Sequence, residues 1–467
     1  MDGQVVIHHT EAEYKMNTTL TSTASSRGAL IRQDSHYAWY VVFLLTFAYT
    51  VAFIDRQVLN LLVDPIKLDL LLSDVDISFL QGFAFMSAYV VCGPLFGRWA
   101  DTGHRRNILV FGVTMWSVCT VLCGTADSFW ELFLARAGVG AAEASLAPVA
   151  WSLIADYFTK PRLPRAMSIF LLGPSLGAGL ALVAGGLVIA FAGDLIELIP
   201  AFSGMSTWQV TFMMVGFPGL LLAMLLFTVR EPVRTSFSNT PVTDDRAFTI
   251  PEIAQYIWKD RAFFLRVFVG MGMLAIVIYG LPTWMPSYLI RHFDVNPATV
   301  GMQYGVLVLS CGALGIILGP SFGRLLQRMG YQDSALRSAA ICCGVSAVGC
   351  AALPFAPSYG VTLGIAAVIT FFYALPQAMV ASSLQFASPN RLRGIISTLY
   401  LFMISVCGLG LAPSVIAFVT DRVLGGPEHV GQSLTIVCTF SATVACWLYV
   451  RALKPYRAKL AQMEQEN

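Results

Sequence analysis

The sequence predicts an all-α membrane protein of twelve transmembrane helices, arranged as two six-helix halves. Of its 467 residues, 56% are hydrophobic and only 12% are charged, where a soluble domain carries about 25% charged residues. Apolar runs long enough to cross a bilayer, broken by short polar turns, lie near 37–63, 76–98, 107–126, 129–155, 166–192 and 208–229, then near 263–290, 298–322, 335–355, 359–386, 394–420 and 432–452. The longest polar linker, 230–262, separates the first six from the second six. Such a split is expected of a transporter built from repeated halves.

In chain order, residues 1–35 form a polar, Ser/Thr-rich tail expected to be disordered, with no apolar core of a secretory signal. His8 and His9 lie in that tail and make no metal site, and the Asn17 sequon stays unmodified if the tail is cytoplasmic. Residues 36–229 form the first bundle, 230–262 a cytoplasmic linker with a short surface helix around Ile250 to Trp258, 263–453 the second bundle and 454–467 a second tail. Asp64, Asp69, Asp74 and Asp76 follow the first span, Asp127 and Glu131 the third, and Asp194 and Glu197 the fifth. The alternate loops instead carry Arg98, Arg105 and Arg106, then Lys160, Arg162 and Arg165, then Arg324, Arg328 and Arg337, then Arg391 and Arg393. Basic loops face the cytoplasm, so both termini are expected there and the chain in the cell's inner membrane. A net charge of +2 with no long basic run or zinc-spaced cluster argues against nucleic acid. All ten cysteines fall in apolar runs, where they act as small hydrophobes rather than a disulfide framework.

Within the fourth run, FWELFLARAGVGAAEASLAPVAWSLIA, stand Arg136 and Glu143. An ionised side chain at bilayer depth costs at least about 2.5–3.5 kcal/mol and persists when it faces a polar interior and is paired. Seven residues are close to two turns, so both groups share one face about 10 Å apart. The first span reaches Asp55 late and the fourth reaches Arg136 early, which brings them to similar heights and allows an Asp55–Arg136 contact. Arg56 points about 100° away from Asp55 and pairs elsewhere or meets a ligand. The second half has almost no charge within its spans; Tyr279, Gln303, Tyr304, Tyr373 and Gln377 are its inner polar groups. The cavity should therefore be lopsided, one wall titratable and the other apolar and aromatic, which suits an amphiphile. Tyr279, Trp284 and Tyr288 line a lipid entry side or pack in the core, and GPSLGAG (173–179) serves bending or close packing.

After the second span comes GRWADTGHRR (97–106). It resembles the loop signature of the major facilitator superfamily, with Gly97, Asp101, Arg105 and Arg106 at matching positions, and implies that fold and a conformational latch at those four residues. A degraded copy, GRLLQRMG (323–330), has Gln327 where the acid would stand and suggests a weaker latch in the second half. FIDRQVLN (53–60), RAGVGAAEAS (136–145), RAMSIFLLGPSLGAGL (165–180), VREP (229–232) and LPTWMPSYLIR (281–291) resemble the spinster family within that superfamily. This resemblance implies a proton-linked lipid transporter, with sphingosine phosphate or lysophospholipid as the substrate class. It maps the family's membrane charges onto Asp55, Arg56, Arg136 and Glu143.

The expectation is thus alternating access, with Asp55, Glu143 and Arg136 coupling protons and Arg56, Arg136, Glu143, Tyr279 and Gln377 contacting a lipid or lysolipid. No cofactor is expected beyond the proton as coupling ion, and a monomer in the bilayer suffices. No Gly-x-x-x-x-Gly-Lys-Ser/Thr loop is present to bind ATP. The alternatives are a carrier of small organic anions or drugs, a lipid sensor that moves nothing, and an intramembrane enzyme. The last is poorest, since no nucleophile, metal cluster or catalytic acid pair stands out.

Overall fold

The computed structural model describes residues 34–159, 162–202, 204–232, 250–388 and 392–466. The tail up to residue 33, Lys160, Arg391 and the linker residues 233–249 lie outside them, as does the side chain of Asp101. Among the described residues, twelve helices are long and apolar enough to cross a membrane. Spans 1 to 6 are His36–Leu61, Asp74–Ala100, Arg105–Cys123, Phe129–Tyr157, Arg165–Ala192 and Thr207–Leu226; spans 7 to 12 are Arg261–Phe293, Pro297–Arg328, Ser334–Phe355, Tyr359–Leu384, Ile395–Val423 and Pro427–Gln462. An even count puts the start of span 1 and the end of span 12 on one face, here the terminal face; the other is the distal face. The linker resumes as the helix Ile250–Lys259 before span 7.

Local chemistry sets several of the helix starts. The Ser35 hydroxyl accepts from the Ala38 amide, Ser73 and Asp76 form a reciprocal capping box, and the Asn296 side chain accepts from the Ala298 amide. Large apolar side chains such as Phe43, Phe47, Phe217, Met224, Phe440 and Trp447 point outward, as expected where the surroundings are lipid.

The two halves repeat one packing scheme. Span 1 packs on span 5, span 2 on span 4, and span 3 on spans 4 and 6; in the second half span 7 packs on span 11, span 8 on span 10, and span 9 on spans 10 and 12. Across the halves, span 5 lies on span 8 and span 2 on span 11, again equivalent pairs. GPSLGAG works by close approach in the span 5 contacts. A Cβ on Gly177 would meet Phe53 and the Thr50 carbonyl, and one on Gly179 would run into the backbone of Leu309.

Helical regularity fails beside the polar interior. Span 1 tightens into a 3₁₀ turn at Val58–Leu61, just beyond Asp55 and Arg56. Span 4 breaks immediately after Glu143, and span 10 breaks at the equivalent Leu375–Pro376. Spans 2 and 11 carry π-helical turns at Phe79–Phe83 and Ser405–Leu411, a distortion common at functional sites. These turns face each other, and a Cβ on Gly82 would strike the carbonyl oxygens of Leu409 and Gly410.

Candidate functional site

Spans 1 and 4 bring the four charges together, but not in the expected pairs. Arg56 donates from Nε and Nη2 to Oε2 of Glu143, at 2.7 and 2.5 Å. Its guanidinium lies 4.6 Å from the ring centre of Phe53, 4.3 Å from Phe85 and 5.5 Å from Tyr89, so three aromatic rings fix its plane. Arg136 does meet Asp55, yet through the backbone: its Nη1 donates to the Asp55 carbonyl oxygen at 3.2 Å. The Asp55 carboxylate turns instead toward span 3, where Oδ2 accepts from the Thr120 hydroxyl at 2.9 Å. The consecutive residues Asp55 and Arg56 point to different neighbours, and the long Arg56 side chain reaches Glu143.

Satisfaction within the cluster is partial. Asp55 Oδ1, Glu143 Oε1 and Arg136 Nε and Nη2 are buried without a hydrogen-bond partner among the described residues. In a low-dielectric interior such groups make a network sensitive to any added proton or ligand. Arg136 and Glu143, expected to touch substrate, are fully buried and do not line the central space, whereas Arg56 borders its smaller part.

That space lies between the halves. A cavity of about 140 Å³ is lined from the first half by Phe53, Gln57, Pro174 and Ala178, and from the second by residues including Ile278, Tyr279, Val308, Tyr373 and Gln377. Tyr279 and Gln377, expected to contact substrate, both line it. Tyr279 also borders a smaller cleft that continues to Arg56, Asn60, Gln81 and Thr283. The expected titratable wall is not seen in the larger cavity, whose first-half side is Phe53, Gln57, Pro174 and Ala178; of the four membrane charges Arg56 alone borders the space, in the smaller cleft. The other two candidate entry aromatics pack inside: Trp284 donates to the Pro413 carbonyl at 3.0 Å, and Tyr288 stacks on His292.

Sequence reasoning missed a chain of amides here. Asn60 donates to Gln57 at 2.5 Å and Gln81 donates to Asn60 at 3.1 Å. Gln57 and Asn60 stand inside FIDRQVLN, and their proximity to Arg56 was the available signal.

Three polar clusters fasten the faces. At the terminal face Arg105 is fully buried, donating to Asp156 at 2.5 Å, Glu231 at 2.7 Å and the carbonyl oxygens of Ser152 and Pro232. The Arg106 amide donates to Glu231 Oε2 at 3.1 Å, while the Arg106 side chain donates to Asn107. Arg105 therefore ties the start of span 3 to the ends of spans 4 and 6. A Cβ on Gly97 would meet open space, so that glycine is not demanded by packing in this state.

The second half has a clamp of its own, built outside the 323–330 loop where Gln327 suggested a weaker latch. Asp333 accepts from Arg337 at 2.9 Å and from Arg457 Nε at 2.7 Å, joining the start of span 9 to the end of span 12. This is the counterpart of Arg105 with Glu231, with the charges exchanged. Burial alone would lift the Asp333 carboxyl; the hydrogen bonds and charges of Arg337 and Arg457 outweigh it and hold the group below the usual carboxylate range.

At the distal face Arg291, in the last turn of span 7, reaches across the halves. It donates to Asp64 at 2.8 Å and with two nitrogens to Asp74 at 2.8 and 2.9 Å. Lys67 also pairs with Asp74, and the Val75 amide donates to Asp421 at 2.9 Å. Polar contacts between the halves thus gather at this face.

The sequence profile of the Major Facilitator Superfamily matches residues 45–448. The chain belongs to that superfamily. It is a multi-pass membrane transporter with the major facilitator fold, a class of carriers rather than enzymes. Within the superfamily its likeness is to spinster proteins. It is 25% identical over 409 residues to Protein spinster homolog 1 of Xenopus tropicalis, covering 83% of this chain and 73% of that one. It is 26% identical over 441 residues to an MFS-type efflux pump of Mycolicibacterium smegmatis, covering 92% and 96%. A solved bacterial homolog of the human lysosomal transporter spinster, described as inward-facing and unoccupied, superposes with a TM-score of 0.75 at 25% identity, over 93% of this chain and 99% of that one. A D-xylose-proton symporter shares the fold with a TM-score of 0.65 at 16% identity.

Proposed function

We propose that this facilitator moves amphipathic lipids of the sphingosine phosphate or lysophospholipid class, linked to protons, by alternating access. One observation carries the reading. Arg56, held by Glu143, borders a polar cleft that shares Gln57 and Tyr279 with a larger cavity lined mainly by apolar and aromatic side chains. A phosphate headgroup wants the same planar fork that Glu143 occupies. A proton on Glu143 removes the competitor, so proton uptake and headgroup capture become linked. Asp55, with one oxygen unpartnered, is a second proton site, and Arg136, anchored on the Asp55 carbonyl, relays its charge state to span 4. Each charge moved across 100 mV supplies about 2.3 kcal/mol.

The basic loops put the terminal face in the cytoplasm and the protein in the inner membrane. The distal clamp of Arg291 then closes the outer side. One chain supplies both halves of the cavity, so a monomer suffices. A second reading, a carrier of organic anions or drugs, is favoured by the likeness to an efflux pump.

The test is uptake of fluorescent lysophospholipid by proteoliposomes under an imposed pH gradient. Saturable, gradient-stimulated uptake that Arg56→Ala abolishes and benzoate leaves unchanged is the expected result. Strong competition by benzoate would favour the second reading, and binding without uptake would make the chain a sensor.

A further inference from the structure

Away from the central cavity, a cleft of about 430 Å³ lies between the starts of spans 1 and 5 at the terminal face, lined by Trp39, Phe43, Arg162, Arg165 and Ile169. Its two walls follow from helical spacing. Trp39 and Phe43 are four residues apart on span 1, and Arg162, Arg165 and Ile169 are spaced by three and four, so each set forms one stripe. Both arginines are exposed. The Arg165 guanidinium lies 5.8 Å from the Trp39 ring centre. That of Arg162 has no ion-pair or hydrogen-bond partner among the described residues, and no carboxylate lines the cleft. Trp39 is held in place by an edge contact with the buried Phe158 at 4.8 Å, and Phe43 is 60% exposed toward the lipid side.

The cleft therefore has a cationic end where the spans begin and an aromatic and aliphatic end running into the bilayer. We infer that it is a binding site for an anionic phospholipid of the surrounding membrane, with the phosphate between Arg162 and Arg165 and the acyl chain bases along Trp39, Phe43 and Ile169. Charge complementarity selects the occupant: two arginines with no carboxylate beside them in the lining formed by the described residues attract an anionic lipid over a zwitterionic one. The aromatic wall excludes a free phosphate as the full occupant, because it would stay empty. Such a lipid bridges the first span, which carries Asp55 and Arg56, to the fifth.

Binding is the readout, so the outcome is independent of what the protein transports. The full chain is reconstituted in nanodiscs of phosphatidylcholine with a minor fraction of phosphatidylglycerol, and retained lipids are counted by native mass spectrometry. Enrichment of phosphatidylglycerol is expected, falling about fivefold with Arg162→Gln or with Arg165→Gln. Lysine at either position keeps most of it. Arg328→Gln, on the same face outside the cleft, leaves it unchanged. Equal retention by the glutamine variants overturns the site, as does an equal loss with Arg328→Gln, which would mean general surface charge. Displacement of the lipid by millimolar glycerol phosphate would also overturn it, by showing that the aromatic wall contributes nothing. Melting in phosphatidylcholine alone confirms that each variant is folded.

Discussion

Arg56 and Glu143 act as one unit, since each neutralises the other within a buried site. Removing one partner of a buried pair costs about 3–5 kcal/mol, because a lone charge is left behind. Glu143→Ala should therefore melt well below the wild type, whereas Glu143→Gln keeps an acceptor near Arg56 and should stay folded; differential scanning fluorimetry in detergent separates the two. Arg56→Lys preserves charge but loses both the fork and the stacking on Phe53 and Phe85. Lysolipid uptake should fall at least about tenfold with melting little changed; unaltered uptake would remove Arg56 from the binding role. The existence of this cluster was legible because charge at bilayer depth is expensive. Its wiring was not, because a backbone carbonyl serves as the acceptor for Arg136 and leaves no trace in the side-chain pattern.

Between elements, the crossing of spans 2 and 11 is set by Gly82, whose missing side chain lets two π-helical turns touch. Gly82→Val cannot make that contact, so the distal closure should weaken and distances between labels at Leu71 and Phe355, exposed on either half, should lengthen. Unchanged distances would show that the crossing does not control closure. The clamp at Asp333 makes a pH prediction. Its carboxyl sits lower in the folded protein than in the unfolded chain, so its contribution is present at neutral pH and is lost as pH falls through the folded value, below the usual carboxylate range. Asp333→Asn should destabilise the second half by about 1.5–3 kcal/mol at pH 7, and by progressively less in acid; thermal melts of both forms against pH check this. The spans themselves were readable from apolar length. The π turns were not, since an inserted residue does not change composition, and neither was the Asp333 clamp, because its partner Arg457 lies more than a hundred residues away in sequence.

For the whole molecule, the proposed alternating access makes closure of one face the condition for opening the other. Arg291 is the bolt across the distal face, so Arg291→Gln should shift the population toward distal opening and slow accumulation of lysolipid against a gradient. Twelve spans and a repeated half could be read from periodicity, and the repeated packing of spans 3, 4 and 6 in spans 9, 10 and 12 agrees. The bolt could not, because Asp64 and Asp74 read as an acidic loop and Arg291 as a helix end until the halves are brought together. The central claim is that a proton on Glu143 releases Arg56 and thereby changes which face is open. It is tested most directly by the distance between labels at His104 and Gln327, exposed on the terminal face of either half, followed against pH in liposomes for wild type and Glu143→Gln. A wild-type distance that titrates, and a variant fixed at the wild-type acid limit, is the predicted result. A variant that titrates as the wild type does would contradict it.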